Sequence, residues 1–414
     1  MSEFKSEFLH TLWERGFIHQ VSDPAGLDEL ARHRNVVAYV GYDCTAPSLH
    51  VGHLLSIMML HWLQRSGNEP IVLMGGGTTR VGDPSGRDET RVLLSYDQIE
   101  FNKQSIQRTF ERFLRFDGGP SDAVMADNAE WLAKLDYIEM LREVGRHFSI
   151  NRMLKMDSVR LRLEREQELS FLEFNYMILQ SYDFVKLAER YHCNLQMGGS
   201  DQWGNIVNGI ELGRRMGTHQ LYALTCPLLT TSSGAKMGKT AAGAVWLNAD
   251  MTNPYEYWQF WRNTEDADVG RFLKLFTKLP LPEIARLESL RDSEIRIAKE
   301  RLAYEATKLL HGEPAAERAA RTAEITFKHG GFGDNLPTLF VRVGDGILTA
   351  NTGLGFTTSN SQARQLVQSG AVFLGDRKIT DPQYRLMPND FDASGRVLLK
   401  LGSRKRGILI RKSE

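Results

Sequence analysis

The sequence predicts an α/β protein: a parallel sheet near the amino end, a mainly helical middle and a small α+β domain at the carboxyl end. Three observations carry this. Residues 36–40 (VVAYV) and 70–74 (PIVLM) are short apolar runs, each stopped by glycine, and the apolar spacing of residues 49–64 between them is helical. Strand, glycine turn, helix, strand opens a parallel sheet, because parallel neighbours need a crossover. Second, residues 96–189 read mostly helical, with one Gly-Gly-Pro break at Gly118. Third, charge is unevenly divided. The chain balances at 51 Lys+Arg and 51 Asp+Glu, yet residues 346–414 carry eleven basic and five acidic side chains. That net +6 leaves −6 on the rest: a basic module, suited to an anionic partner, on an acidic body.

The elements follow in order. Residues 6–15 read as an amphipathic helix ended by Gly16. Strand 36–40, helix 49–64 (stopped by Gly67) and strand 70–74 form the crossover unit. Residues 194–197 give another strand, running into Gly198-Gly199, and 221–229 a further one broken by Pro227. Residues 254–262 and 281–311 read as helices, the second stopped at Gly312. Residues 329–336 are rich in Gly and Asn, a linker composition. In the tail, helix 361–368 closes at Gly370, and strand 371–374 leads into a Gly375-Asp376 turn. The expected organisation is a sheet domain over 1–245 with a helical insertion at about 118–190, a helical domain over 246–328, a linker at 329–345 and the basic domain over 346–414.

Composition bounds the chemistry. With 414 residues, 42% hydrophobic and 25% charged, the chain is neither disordered nor fibrous. No apolar run approaches the ~18 residues of a membrane span. Glu3, Glu7 and Glu14 near the amino end fit neither a secretory signal nor a transit peptide, so cytoplasm is the expected compartment and no membrane partner is expected. Cys44, Cys193 and Cys226 are odd in number and widely spaced, which argues against a disulfide framework.

Ligands of parallel sheets bind beyond the carboxyl ends of the strands. His50-Val51-Gly52-His53 begins the first crossover helix there. Its two imidazoles share a face, which fits a metal pair, one packed and one exposed histidine, or a phosphate site at a helix amino terminus. No third ligand stands nearby for a metal. Gly52 lets a flat ring approach the backbone, and Thr45 adds a donor. Lys236-Met237-Gly238-Lys239-Thr240 is near a P-loop but fails it, because the first glycine should stand at 233, which is Ser233. Two lysines three apart on a glycine-rich loop instead suit a clamp on a polyphosphate, against the bland reading of a solvated loop. Gly75-Gly76-Gly77 fails the dinucleotide fingerprint, since residue 80 is Arg80.

Together these segments resemble the class I aminoacyl-tRNA synthetases. His50 to His53 matches their His-Ile-Gly-His signature and Lys236 to Thr240 their Lys-Met-Ser-Lys-Ser signature, in the right order and at a spacing of about 190 residues. The resemblance sharpens to the bacterial-type tyrosyl-tRNA synthetases through residues 39–46 (YVGYDCTA), Gly82 to Gly86, 173–183 (EFNYMILQSYD) and 198–205 (GGSDQWGN). The tail from Ser361 to Asp381 is similar to an S4-type RNA-binding module. Val51, Gly238 and Thr240 depart from the general signatures, the last two as the bacterial tyrosine enzymes commonly do.

The resemblance implies a Rossmann-like catalytic domain, a helical domain and an S4-like domain, and a two-step reaction. L-tyrosine and ATP give tyrosyl-adenylate and pyrophosphate, and the tyrosyl group then passes to the 3'-terminal ribose of tRNA(Tyr). It implies catalytic roles for Thr45, His50, His53, Lys236 and Lys239, with Arg87 and Arg91 helping on pyrophosphate. Tyr39 and Asp183 would face the substrate phenol, with Tyr176, Gln180 and Asp83 at its ammonium and Gln202 at its carboxylate end. Gly41, Asp43 and Asp201 would line the adenylate side with His50, His53 and Lys239. Tyr176, Gln180 and Asp183 lie at i, i+4 and i+7, one helical face. A buried Asp183 lacking a phenol would bear a desolvation cost, a basis of selectivity for which tyrosine enzymes are themselves the standard example. Mg²⁺ is expected on the ATP phosphates, with no dedicated protein metal site. A homodimer is implied, its contact near residues 128–156, where Trp131, Leu132, Leu135, Ile138, Leu141 and Phe148 show apolar spacing. Two rivals are the related tryptophanyl-tRNA synthetases and a non-catalytic RNA-binding paralogue. Tyr39 with Asp183 and the tail oppose the first, and the intact His50, His53, Lys236 and Lys239 the second.

Overall fold

A parallel sheet covered by helices holds the amino-terminal part of the chain. The computed structural model describes residues 4–84, 93–232, 234, 237–240, 243–328, 336–392, 394–402 and 405–412. The strands are β1 (Gln20–Val21), β2 (Val37–Tyr42), β3 (Glu69–Met74), β4 (Val124–Asp127), β5 (Leu195–Gly199) and β6 (Tyr222–Cys226), in the spatial order β1-β6-β5-β2-β3-β4. All neighbours pair in parallel except β1, which runs antiparallel to β6. Strands buried on both faces need continuous apolar runs, and Ile71, Val72, Leu73 and Met74 of β3 are all buried. Helix Leu54–Arg65 crosses from β2 to β3. It is buried almost all round, from Leu54 and Leu55 through Ile57 to Leu63, so it shows no polar face.

The first helix, Glu7–Arg15, follows the expected rules. Ser6 accepts from the Leu9 N–H at its start, and Gly16 ends it in the left-handed region at φ 83°. Arg15 is buried. Its guanidinium stacks 4.2 Å over the Trp62 ring and donates to the carbonyls of Lys274, Thr277 and Leu279, at and just beyond the end of helix Val269–Phe276. A cation at a helix carboxyl end satisfies carbonyls that the helix cannot.

Several expectations change. Residues 118–190 are not wholly an inserted helical region, because β4 lies within them as an edge strand beside β3. Four residues are too few for periodicity to reveal, and pairing with β3 decides them. Trp131 is buried in the core cluster of the sheet, with Leu132, Leu135 and Phe148 packed against it, whereas Ile138 and Leu141 are exposed. Residues 281–311 form two helices, Leu281–Glu288 and Ile295–His311, parted by Asp292 at φ 50°.

The chain divides into two compact units. The first comprises Met1–Met237, Trp246–Met251 and Thr264–Ala298; the second comprises Gly238–Val245, Thr252–Asn263 and Lys299–Glu414. In the second, β7 (Lys239–Thr240) and β8 (Gly243–Ala244) form a small ribbon. Its carboxyl-terminal sheet has β9 (Thr338–Val341), β10 (Val372–Leu374), β11 (Arg377–Ile379), β12 (Arg396–Leu401) and β13 (Lys405–Arg411), in the order β11-β10-β12-β13-β9. Residues 338–341 fell within the expected linker, yet they pair in parallel with β13 as the sheet's edge. Helices Ile347–Gly353 and Asn360–Gln368 complete this domain, and Ile347, Ala350, Val367, Val372, Leu399 and Leu409 form its core. No described helix is long and apolar enough to cross a membrane.

Candidate active site

A cavity of about 680 Å³ opens in the first unit, where the sheet's carboxyl ends point. Tyr39, Gly41, Asp43, Thr45, His50, His53, Asp83, Tyr176, Gln180, Asp183, Asp201 and Gln202 all line it. These residues come from five separate stretches of chain. Arg87, Arg91 and Lys236 lie outside the described residues. Of Lys239 only the backbone is described, at the start of β7.

The histidine pair is set by its own turn. Val51–His53 is a short 3-10 turn leading into helix Leu54–Arg65. Nδ1 of His50 accepts from the Gly52 N–H at 3.0 Å, and Nδ1 of His53 accepts from the His50 N–H at 3.2 Å. An imidazole that accepts at Nδ1 carries its proton on Nε2 when neutral, so each ring keeps a donor at Nε2. Burial, then the neighbouring His50, lowers the His53 pKa to about 3. His53 is therefore a neutral donor at pH 7. Any Cβ at residue 52 would stand 2.8 Å from the His50 ring, which is why the turn takes glycine.

On the opposite side a chain of polar contacts converges on two carboxylates. Asp43, just past β2, accepts from Thr78 Oγ1 at 2.7 Å and from the Tyr176 hydroxyl at 3.1 Å. Asn128 donates to Thr78 Oγ1 at 3.0 Å and to Asp183 Oδ2 at 2.9 Å, and Trp131 Nε1 donates to Asp183 Oδ1 at 2.7 Å. Burial pushes the Asp183 pKa up to about 7, against those two donors, with Asp43 and Asp127 raising it further. The Tyr39 hydroxyl stays protonated: burial foremost, then Asp183, raises its pKa well above the phenol range. Tyr39 Oη, Gln180 Oε1 and Gln196 Oε1 are buried and have no hydrogen-bond partner among the described residues. Buried polar atoms without partners are rare, and in a cavity they mark where a ligand's polar groups belong. Gln202 donates to Asp83 Oδ2 at 3.1 Å, and its Oε1 accepts from Asn205 at 3.1 Å.

Asn128, Trp131, Thr78 and Gln196 carry no sequence signal that assigns them to the site. Thr78 follows the three glycines, whose purpose the structure makes plain. A Cβ at Gly75 would stand 2.4 Å from the Asp43 carboxylate, and one at Gly76 2.4 Å from the Asp127 carboxylate. The glycines let two acidic side chains close over the end of β3. Among the described residues no group of three or more His, Cys, Asp or Glu side chains could hold a metal ion.

Comparison with known proteins shows the family. The family model described as class I tRNA synthetases of the W and Y type matches residues 31–328, and the S4 domain model matches residues 354–392. The chain belongs to these class I tRNA synthetases. It is 66% identical to the tyrosine–tRNA ligase of Nitrobacter winogradskyi, over 99% of this chain and 100% of that one. It is 65% identical to the tyrosine–tRNA ligase of Rhodopseudomonas palustris, over 99% of both. The solved structure of a C-terminally truncated mitochondrial tyrosyl-tRNA synthetase from Aspergillus nidulans superposes with a TM-score of 0.70 at 34% identity, covering 78% of this chain and 94% of that one. A Plasmodium falciparum tryptophanyl-tRNA synthetase shares the fold, with a TM-score of 0.53 at 12% identity.

Proposed function

We propose that the protein is a tyrosine–tRNA ligase working by the two-step class I reaction, and that the residues gathered in the cavity carry its first step. The observation that carries the tyrosine assignment is that the Tyr39 hydroxyl and the Asp183 carboxylate, both buried, line the same cavity. The phenol of a substrate tyrosine donates to Asp183 and accepts from the Tyr39 hydroxyl. Phenylalanine would leave the Tyr39 hydroxyl without a partner and Asp183 with only its Asn128 and Trp131 donors. The substrate ammonium lies by Tyr176 Oη, Gln180 Oε1 and Asp83, which are acceptors. Gln202 stands at the carboxylate end.

A carboxylate is already ionised at pH 7, so attack on the α-phosphorus of ATP requires no general base. The step requires alignment, and stabilisation of charge that gathers on the departing pyrophosphate. His50 and His53 supply N–H donors at Nε2, and Thr45 a hydroxyl. His53 stays neutral, so it stabilises phosphate oxygens by hydrogen bonding and not by charge. Asp201, Gly41 and Asp43 take the adenylate side, with Asp201 on the ribose. Lys236, Lys239, Arg87 and Arg91 serve the phosphates in this reading. Mg²⁺ enters with ATP, its ligands being phosphate and water.

The carboxyl-terminal basic domain takes tRNA. The protein works as a cytoplasmic homodimer, for which exposed Tyr137, Ile138, Leu141 and Ile150 offer an apolar surface. Tyrosine-dependent ATP–pyrophosphate exchange, followed by charging of tRNA(Tyr), tests the function. Exchange with tryptophan in place of tyrosine, or with neither, would overturn it.

A further inference from the structure

Gln196 lines the cavity and has no part in the chemistry described above. It stands on β5 directly opposite Tyr39 of β2 in the parallel register, so both side chains leave the same face of the sheet. Gln196 is 3% exposed, lines the cavity, and has a carbonyl oxygen with no partner among the described residues. Its amide oxygen lies near helix Trp203–Met216. Gly209, on helix Trp203–Met216, leaves room for both Phe184 and the Gln196 amide: a Cβ there would stand 3.0 Å from the Phe184 ring and 3.6 Å from Gln196 Oε1. Phe184 in turn meets the Tyr39 ring edge-on at 5.3 Å between centroids. Tyr39 and Gln196 thus leave neighbouring strands on one face, each with a buried polar atom that has no partner among the described residues, and Phe184 packs on the Tyr39 ring.

A phenolic hydroxyl has one proton to give and lone pairs to receive. For the Tyr39 proton to point at a substrate oxygen, something must occupy or repel the other orientations. A carboxamide is suited to this. A half-turn about its last bond exchanges donor and acceptor, so it can donate to Tyr39 Oη while Tyr39 donates onward. We propose that Gln196 is a positioning residue for tyrosine selection: its carboxamide engages the Tyr39 hydroxyl when substrate is bound and directs the Tyr39 proton to the substrate phenol. The proposal rests on the tyrosine reading above. Gln196 acts through Tyr39 and so matters only for a substrate that carries a hydroxyl.

The experiment is a double-mutant cycle on the full chain with Gln196→Leu and Tyr39→Phe, reading kcat and KM for tyrosine and for phenylalanine in ATP–pyrophosphate exchange. One neutral hydrogen bond is at stake, so Gln196→Leu should raise the tyrosine KM by about three- to tenfold. The phenylalanine kcat/KM and the ATP KM should not change. In the Tyr39→Phe background, Gln196→Leu should have no further effect. Gln196→Met, unbranched and equally lacking donors, should repeat the Leu result if the effect is polar and not one of shape. Equal losses in both backgrounds, or an unchanged ratio of tyrosine to phenylalanine, would overturn the proposal while leaving the tyrosine assignment standing. Absence of tyrosine-dependent exchange in the unaltered protein would remove both.

Discussion

Replacing Trp131 by Phe tests how the substrate phenol is read. The ring stays and a single N–H is lost, the one that donates to Asp183 Oδ1 at 2.7 Å. Asp183 has a pKa of about 7 because burial outweighs its two neutral donors, Asn128 and Trp131. A hydrogen bond to a charged group contributes about 1.5–3 kcal/mol, and one pKa unit is about 1.4 kcal/mol. Losing the indole donor should therefore move Asp183 up by roughly one to two units. The sign follows from the ligand. A phenol donates to the ionised carboxylate, so tyrosine binding favours ionised Asp183 and releases a proton. In the unaltered protein the tyrosine KM should be flat above pH 7 and rise towards tenfold per unit as pH falls below it. In Trp131→Phe the break should lie near pH 8 to 9, with a tyrosine KM raised about tenfold at pH 7.5 and partly restored at pH 8.5. The assay is ATP–pyrophosphate exchange from pH 6 to 8.5 at saturating ATP. Calorimetry in two buffers of different ionisation enthalpy counts the proton. A pH-independent KM in the unaltered protein, or a Trp131→Phe loss that is equal at every pH, would refute the reasoning.

Four further outcomes are expected. Gly76→Ala should destabilise the protein by about 1–3 kcal/mol, seen as a lower denaturant midpoint, because Asp127 is held by Lys103 at 2.8 Å and by the Ala129 N–H at 2.9 Å. Arg15→Met removes the guanidinium that stacks on Trp62 and leaves three carbonyls without their donor. It should cost about 2–4 kcal/mol in thermal unfolding with little change in tyrosine KM. A chain ending at Lys328 should still make tyrosyl-adenylate yet charge tRNA poorly and with a shallower dependence on salt. Equal charging by the truncated and full-length proteins would remove the case for a tRNA-binding tail. Ile138→Asp should convert a dimer to monomers in sedimentation velocity at micromolar protein; a monomer before any substitution would refute the dimer.

Much of the protein was legible in its sequence, and for local reasons. The strands at 36–40 and 70–74, the crossover helix and the basic tail domain are written in apolar periodicity, glycine stops and charge, each readable within a few neighbouring residues. The histidine turn and the i, i+4, i+7 face of Tyr176, Gln180 and Asp183 are local too. The tertiary structure alone decided what depends on pairing between distant segments. Val124–Asp127 and Thr338–Val341 are too short to announce themselves, and they are strands because β3 and β13 offer them partners. Trp131 stood out only as one of an apolar series between residues 128 and 156, and Asn128 only as the start of that segment. They become the donors that hold Asp183 because the chain brings them across 55 and 52 positions. Gly75 and Gly76 carried no readable pattern. Their reason is the closeness of Asp43 and Asp127, which exists only once the sheet has formed. Gln196 lay in an unremarkable apolar run, and its bearing on Tyr39 comes from strand register, a property of two segments that neither specifies alone.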